Sequence, residues 1–421
     1  MLIAGAFILL VFVLLILRQN LLVILGLVTA LAYVVWGGGE LQNIVIDAWD
    51  AANREILLSI PLYILAGNIM SRGVMAERLV RFMRAVSAPI PGGLAITTVL
   101  SCAVFAAVSG SGTVTLLAVG AIMYPALLEA GYPKAFALGA LCAAGTLGII
   151  VPPSIPLILY GVMTQTSVAD LFVAGIGPAL VLITLMSGYA VISSRGRRHG
   201  RWDWRELITA FREGIWAMLM PVLILGGIYS GHFTATESAA VAVVYAIAVE
   251  TLIYREMNLS ELHQVMVATT RLLGSLFPVL MIALSLNILL AYQQVPETLV
   301  ASLSQAVDGR VTFLLAVNLF LLLIGCLMDI GSAILILAPI LQPVAAAQGI
   351  DAVHFGIIMV MNLEIGYLTP PLGLNLIIAM TAFREDFWVI CRAVVPFLAL
   401  MIAGLLLVSF WPALTLFLVG P

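Results

Sequence analysis

Charge is what this sequence has least of. Only 9% of its 421 residues are Asp, Glu, Lys or Arg, and Lys134 is the single lysine. Soluble domains carry roughly a quarter charged residues, so a soluble fold is excluded. The basic face that nucleic-acid binding needs is excluded with it. Cysteine is almost as scarce. Cys102, Cys142, Cys326 and Cys391 lie apart in apolar surroundings, without zinc-like spacing, and read as small packing residues. Four scattered histidines form no metal cluster. No glycine-rich phosphate loop and no soluble ATPase domain are present, so any active transport must draw on an ion gradient. Nothing resembles a hydrolase or dehydrogenase site, so neither catalytic residues nor an organic cofactor is expected.

What is there is apolar: 63% of the chain is hydrophobic. The runs are long and separated by short polar stretches, which indicates membrane helices rather than barrel strands. One run is interrupted in a particular way. Gly145 to Gly161 reads GTLGIIVPPSIPLILYG. Pro152 and Pro153 remove two backbone donors and clash with the preceding turn, so a helix break is expected near Gly148 to Pro153. The pattern returns 218 residues later as LEIGYLTPPLGLNLIIA, Leu363 to Ala379. In that one register Gly148 matches Gly366, Pro152–Pro153 match Pro370–Pro371, Pro125 matches Pro343 and Gly131 matches Gly349. Interrupted segments at matching places in two halves point to a secondary transporter and its binding site.

Each half also carries a polar interruption in a second apolar run. Residues 93–108 and the run to Leu128 flank Ser109-Gly110-Ser111-Gly112-Thr113; residues 311–327 and the run to Pro343 flank Met328-Asp329-Ile330-Gly331-Ser332. Each arm is near or below the roughly 20 residues of a full crossing, so both pairs are expected as re-entrant hairpins. Such tips are tolerated only where protein or a watery cavity shields them.

The fold expected is therefore an all-α polytopic membrane protein with inverted repeats, two re-entrant hairpins and two broken transmembrane helices. Residues 1–52 form N-terminal helices and a surface arm of the scaffold. Residues 53–200 form a first repeat, with a hairpin at about 92–129 and a broken helix at 134–166. Residues 201–258 are linking helices, and 259–421 form a second repeat, with a hairpin at about 311–345 and a broken helix at 351–383. Separate surface helices are expected at 41–52, 74–86, 203–213 and 258–268, the second carrying Arg78, Arg81 and Arg84. Ten crossings plus two hairpins result. With the arginine-rich loop 195–201 inside, Lys134 and all arginines except Arg54 and Arg310 fall on the inner side. That is the bias of the positive-inside rule, and it makes the hairpins enter from opposite faces.

A carrier binds small ions with what such breaks expose. Carbonyls at the end of one half-helix suit a cation; amides at the start of the next suit an anion. Candidate sodium ligands are Ser109, Gly110, Ser111, Gly112, Gly145 and Thr146 in the first half, and Asp329, Gly331, Ser332, Gly366 and Thr369 in the second. Candidate substrate contacts are Thr113, Pro152, Pro153, Ser154, Asn362, Glu364, Pro370 and Pro371. Each hydroxyl has a plain alternative, a bond back to its own helix. For Asp329 and Glu364 the alternative is a water-facing place at a boundary. The stretch Gly231-His232-Phe233-Thr234-Ala235-Thr236-Glu237 reads as a loop followed by a capping box.

Four stretches together carry a family resemblance: GSGTVTLLAVGAIMYPALLEAGYPKAFALGALCAAGTLGIIVPPSIPLILYG at 110–161, GHFTATESAAVAVVYA at 231–246, GCLMDIGSAILILAPILQP at 325–343 and NLEIGYLTPPLGLNLI at 362–377. The chain resembles the large membrane subunit of tripartite ATP-independent periplasmic (TRAP) transporters over nearly its whole length. The resemblance implies an elevator-type carrier of the bacterial cell inner membrane. It implies import of an organic anion (a C4-dicarboxylate, sialic acid or another organic acid) with sodium as coupling ion. It implies two partners, a periplasmic solute-binding protein and a small membrane subunit of about four helices. Because the chain opens directly on an apolar segment, that subunit is expected as a separate polypeptide. The alternatives are a stand-alone organic-anion carrier working without a binding protein, a passive scaffold and a channel. The paired polar breaks count against a scaffold, and no charged ring or repeated filter suggests a channel.

Overall fold

The computed structural model describes residues 10, 14, 19, 21–194, 202–295, 300, 309–370 and 373–419. The first expected span and the arginine-rich loop 195–201 lie largely or wholly outside the described residues. The elements are helical throughout, in the order α1 Leu21–Val35, α2 Gln42–Ala52, a 3-10 turn Glu55–Leu58, α3 Ser59–Arg72, α4 Met75–Ser87, α5 Gly93–Ser109, α6 Gly112–Glu129, α7 Lys134–Ile150, α8 Ile155–Thr164 and α9 Val168–Ser193. The second half continues with α10 Trp204–Tyr229, α11 Ala235–Ala248 running into a π turn Val249–Ile253, α12 Leu259–Tyr292, α13 Arg310–Gly325, α14 Ile330–Ala347, α15 Ala352–Gly366, α16 Leu374–Phe383, α17 Phe387–Phe410 and α18 Ala413–Leu416. No strand occurs among the described residues.

Eight of the described helices are long and apolar enough to cross a membrane, or nine if a sharply bent pair is one span. Among the described residues this is fewer than the expected ten, the first of which lies largely outside them. It also relocates the sharp bend. The one described pair that passes for a span and bends by more than 40° is Glu55–Arg72 with Met75–Ser87, at 70°. The two expected hairpins are not such pairs. Their second arms, α6 and α14, are each 18 residues long and apolar enough to cross alone. Two surface helices also disappear as separate elements. Residues 203–213 are the start of the 26-residue α10, and 258–268 the start of the 34-residue α12. No proline stands at either junction, and Gly214 at the first is carried within the helix, so the polar first turns simply continue into the apolar ones. Pro221 and Pro278 sit inside these helices without ending them.

Helix starts follow local chemistry. Thr234 and Glu237 form the expected capping box, with Glu237 N–H donating to Thr234 Oγ1 at 3.2 Å and Thr234 N–H to Glu237 Oε2 at 2.8 Å. Asn258 and Glu261 form a second box, at 2.9 Å each way. Asp203, Asp351 and Asp386 cap α10, α15 and α17 with their carboxylates.

The core sits around α7 and α15. Both are apolar on every side, which is the pattern of a wholly buried helix. All residues from Ala137 to Ile150 and from Val353 to Gly366 are buried. These two helices pack on each other; α5, α6 and α17 surround α7, and α13, α14 and α9 surround α15. α3 pairs with α11 and α12, and α4 lies along α10 and α5.

Candidate functional site

The first interruption is shorter than its sequence suggests. α7 runs through Gly145, Thr146 and Gly148 and stops at Ile150; the break is Val151 to Ser154. Gly145 and Thr146 are thus in regular helix. Gly148, where the break is expected to begin, lies in the helix with them. Their role is sideways contact. Prolines at 152 and 153 forbid the next helical bonds, and the peptide between them is cis. Ser154 then caps α8: its hydroxyl donates to Ile149 O and accepts from Leu157 N–H at 3.4 Å. Pro152, Pro153 and Ser154 are all buried.

The loop Ser109 to Gly112 lies directly on this break. Gly110 has φ +59°, a left-handed conformation that favours glycine. A Cβ there would stand 2.8 Å from Pro153 O, and one on Gly148 would stand 2.6 Å from Ser111 O. Glycine is what lets the two backbones meet. Ser109 shares a hydrogen with Thr115 Oγ1 at 2.8 Å, and Ile155 N–H reaches Gly110 O at 3.5 Å. Gly112 approaches Gly145 O, and half-buried Thr113 follows in the first turn of α6. Nine expected residues of the first half therefore converge, together with Thr115, which the sequence did not single out.

The second half is assembled with side chains. Asp329 caps α14: it accepts from Ser332 N–H at 2.9 Å and from the Ser332 hydroxyl. Its carboxylate is thereby satisfied within one turn, so its polar surroundings are local. Tyr367 Oη accepts from Ile330 N–H at 2.8 Å and ties this turn to the end of α15. Gly331 lies beside Leu159 of α8. Gly366 meets Gly325 so closely that a Cβ would stand 2.5 Å from its backbone. After Gly366 the chain turns, Thr369 bonding back to Ile365 O at 3.0 Å, and Pro370 is half-buried. Pro371 lies outside the described residues.

Asn362 and Glu364 are within α15, not at its break. Asn362 donates to Asn318 Oδ1 at 2.6 Å, and Asn318 donates to Ser409 Oγ at 3.2 Å. Asn318 and Tyr367 are functional neighbours that sequence reasoning missed; a lone Asn in the apolar run 311–327 was the available signal for the first. Glu364 is fully buried, and neither carboxyl oxygen receives a hydrogen bond among the described residues. The Thr146 hydroxyl lies alongside it, but gives its hydrogen to Ala143 O at 2.7 Å. This contact joins the two halves of the site. No hydrogen bond links the two loops themselves among the described residues. Nor do three or more His, Cys, Asp or Glu gather there in a way that suits a transition metal. Hydroxyl and carbonyl oxygens at the first break are the hard ligands that sodium takes.

Comparison with known proteins agrees with this architecture. The family model described as "Tripartite ATP-independent periplasmic transporter, DctM component" matches residues 8–414. The chain is 40% identical to the C4-dicarboxylate TRAP transporter large permease protein DctM of Pseudomonas aeruginosa, across 93% of this chain and 92% of that protein. It is 35% identical to the ectoine/5-hydroxyectoine TRAP transporter large permease protein UehC of Ruegeria pomeroyi, across 86% and 85%. Among solved structures, the YdaH transporter of Alcanivorax borkumensis shares the fold with a TM-score of 0.67 at 14% identity, covering 90% of this chain and 89% of that one. The relatives are bacterial permeases, and the long apolar helices place the chain in the bacterial inner membrane as a multi-pass protein. The chain belongs to the DctM component family, the large permeases of tripartite ATP-independent periplasmic transporters.

Proposed function

We propose that the chain is the sodium-coupled import path for an organic anion, which a periplasmic binding protein delivers. A small membrane subunit completes the scaffold. The observation that carries this reading is the meeting of two broken buried helices, α7–α8 and α15–α16, with the loops Ser109–Gly112 and Asp329–Ser332 folded onto their ends. A passive scaffold gains nothing from helix ends turned inward, where unpaired backbone costs several kcal/mol, on the order of 2–7 per group.

The parts divide by charge. Ser109 to Gly112, with the side of α7 at Gly145 and Thr146, supplies oxygen for sodium in the first half. Asp329, Gly331 and Ser332, with Gly366 and Thr369, do so in the second. The N-terminal ends of α8 and α16 present amides to a carboxylate, with Thr113, Pro152, Pro153, Ser154, Asn362, Glu364 and Pro370 shaping the space. Sodium, when bound, screens the anion and so couples one gradient to the other. Alternating access is elevator-type: the two repeats, with the loops Ser109–Gly112 and Asp329–Ser332, move together against the scaffold. The relatives named for C4-dicarboxylates and for ectoines are similar over most of the same chain. A carboxylic acid delivered by the binding protein is the substrate class this fits.

The test is uptake into proteoliposomes holding this chain, the small subunit and the binding protein. Uptake is expected to need an inward sodium gradient and both partners. Uptake without sodium would overturn the coupling, and uptake without the binding protein would favour the stand-alone carrier.

A further inference from the structure

The one described helix pair that passes for a single span while bending sharply, by 70° between α3 and α4, has no proline at the bend. It is held from elsewhere. Glu250, in the π turn that ends α11, is fully buried. Its carboxylate accepts from Met75 N–H at 3.1 Å and Val74 N–H at 3.3 Å. Those are first-turn amides of α4, which no side chain of its own caps. Gly73, the first of the two residues between the helices, has an ordinary extended backbone, φ −84° and ψ −168°. Conformation therefore does not demand glycine there. Space does: a Cβ would lie 2.1 Å from the Glu250 carboxyl carbon. One turn along α4, Arg78 stacks 3.9 Å over the Tyr254 ring, and Tyr254 Oη donates to Glu213 O at 2.7 Å. α4 is thus fastened to α10 and α11 at its first two turns.

We infer that Glu250 is a positioning residue: it caps α4 in trans and sets the angle at which that helix leaves the scaffold toward α5 and the Ser109–Gly112 loop. A buried carboxylate in a membrane protein is costly unless it is used. Here its charge faces the positive end of a helix and two amides that nothing else satisfies. The π turn widens α11 at the residue that carries it, a local departure from α geometry of the kind found at functional places. Gly73 and Glu250 are one device, since the glycine exists to admit the carboxylate. The consequence for transport rests on the carrier reading above; the cap itself does not.

The experiment is a double-mutant cycle of Gly73→Ala and Glu250→Ala, with Glu250→Gln as the conservative variant, all in the full chain with its partners. Two readouts are taken. Amide hydrogen exchange at residues 74–76 reads the cap without reference to transport. Glu250→Ala is expected to speed it roughly fivefold, and Glu250→Gln to restore most of the protection. Uptake reads the consequence: Glu250→Ala lowers the maximal rate and leaves half-saturating sodium and substrate unchanged. Gly73→Ala alone is expected to damage both readouts, and to be nearly silent once Glu250 is Ala. Unchanged exchange in Glu250→Ala, or equal damage by Gly73→Ala in both backgrounds, overturns the cap. Faster exchange with normal uptake overturns its link to transport only. No uptake by the unaltered protein counts against the carrier reading and leaves the exchange result standing.

Discussion

The two helix breaks occupy the same register in the two halves, yet are built differently. At the first, Val151 to Ser154, backbone lies on backbone. Gly110 faces Pro153 O and Gly148 faces Ser111 O, and a single serine caps the next helix. At the second, between Gly366 and Leu374, the interval is longer and side chains span it. Asp329 caps α14, Tyr367 receives Ile330 N–H, and Gly373 turns the chain at φ +46°. The difference teaches that a repeated pattern of Gly and Pro specifies where a helix stops, not what replaces its lost bonds. The first break is a contact of close fit; the second is a hydrogen-bonded one.

That contrast yields tests of graded size. The largest effect is expected at the close fits. Gly148→Val forces bulk against the Ser111 carbonyl, and an overpacked core costs about 1–3 kcal/mol. Thermal unfolding in detergent should drop by several degrees, and uptake should fall with it. A Gly148→Val protein with normal stability would show that the first break is not tightly packed. Tyr367→Phe comes next. It leaves buried Ile330 N–H without an acceptor, a loss of about 1–3 kcal/mol. Because this lies in the second break only, it should spare hydrogen exchange around residues 109–112; equal loosening of both loops would erase the distinction. Asp329→Ala removes a cap worth about 1 kcal/mol, and is expected to reduce sodium-coupled uptake more than membrane insertion. Unchanged sodium dependence in proteoliposomes would remove Asp329 from the proposed ion site.

The smallest effect is on pH. Lys134, at the start of α7, meets Glu385 at 2.6 Å, and Tyr124 donates to the same carboxylate at 2.9 Å. The Lys134 ammonium, before Tyr124, holds Glu385 below the ordinary glutamate value of 4.5. A depressed folded value means the stabilisation is present above that ordinary value and is lost as pH falls through the depressed one. Lys134 is 53% exposed, so solvent screens most of it. Lys134→Met should lower stability slightly at neutral pH, where the stabilisation is present, and flatten the acid limb of an unfolding curve, the two proteins converging at low pH.

Much of this was legible because it is local. The capping box at Thr234, and the prolines at 152–153, act within four residues of themselves. The charge bias and apolar length gave membrane helices. What did not show was anything that depends on a distant partner. Glu250 closes an apolar run and looks like its boundary; only the fold brings it to Gly73, 177 positions away. The surface helices at 203–213 and 258–268 looked separate because polarity changes there, but polarity changes the solvent of a helix and not its hydrogen bonds. The break expected from Gly148 begins three residues later, at Val151, since the repeat supplies register and leaves the last bonded turn to packing. The expected hairpins failed as sharply bent pairs for the same reason: arm length alone does not fix an angle.

The long helix α12 has a further consequence. Thirty-four residues rise about 51 Å, against roughly 30 Å of hydrocarbon. Such a rod must lean or stand out of the bilayer. It packs along α1, α2 and α3 on one side and touches α14, the helix that Asp329 starts, on the other. A thinner or thicker membrane changes its lean at a cost of fractions of a kcal/mol per Å. Lipid thickness thereby becomes a mechanical input to the half of the protein that Asp329 belongs to, as a lever arm passes on a change in the height of its support.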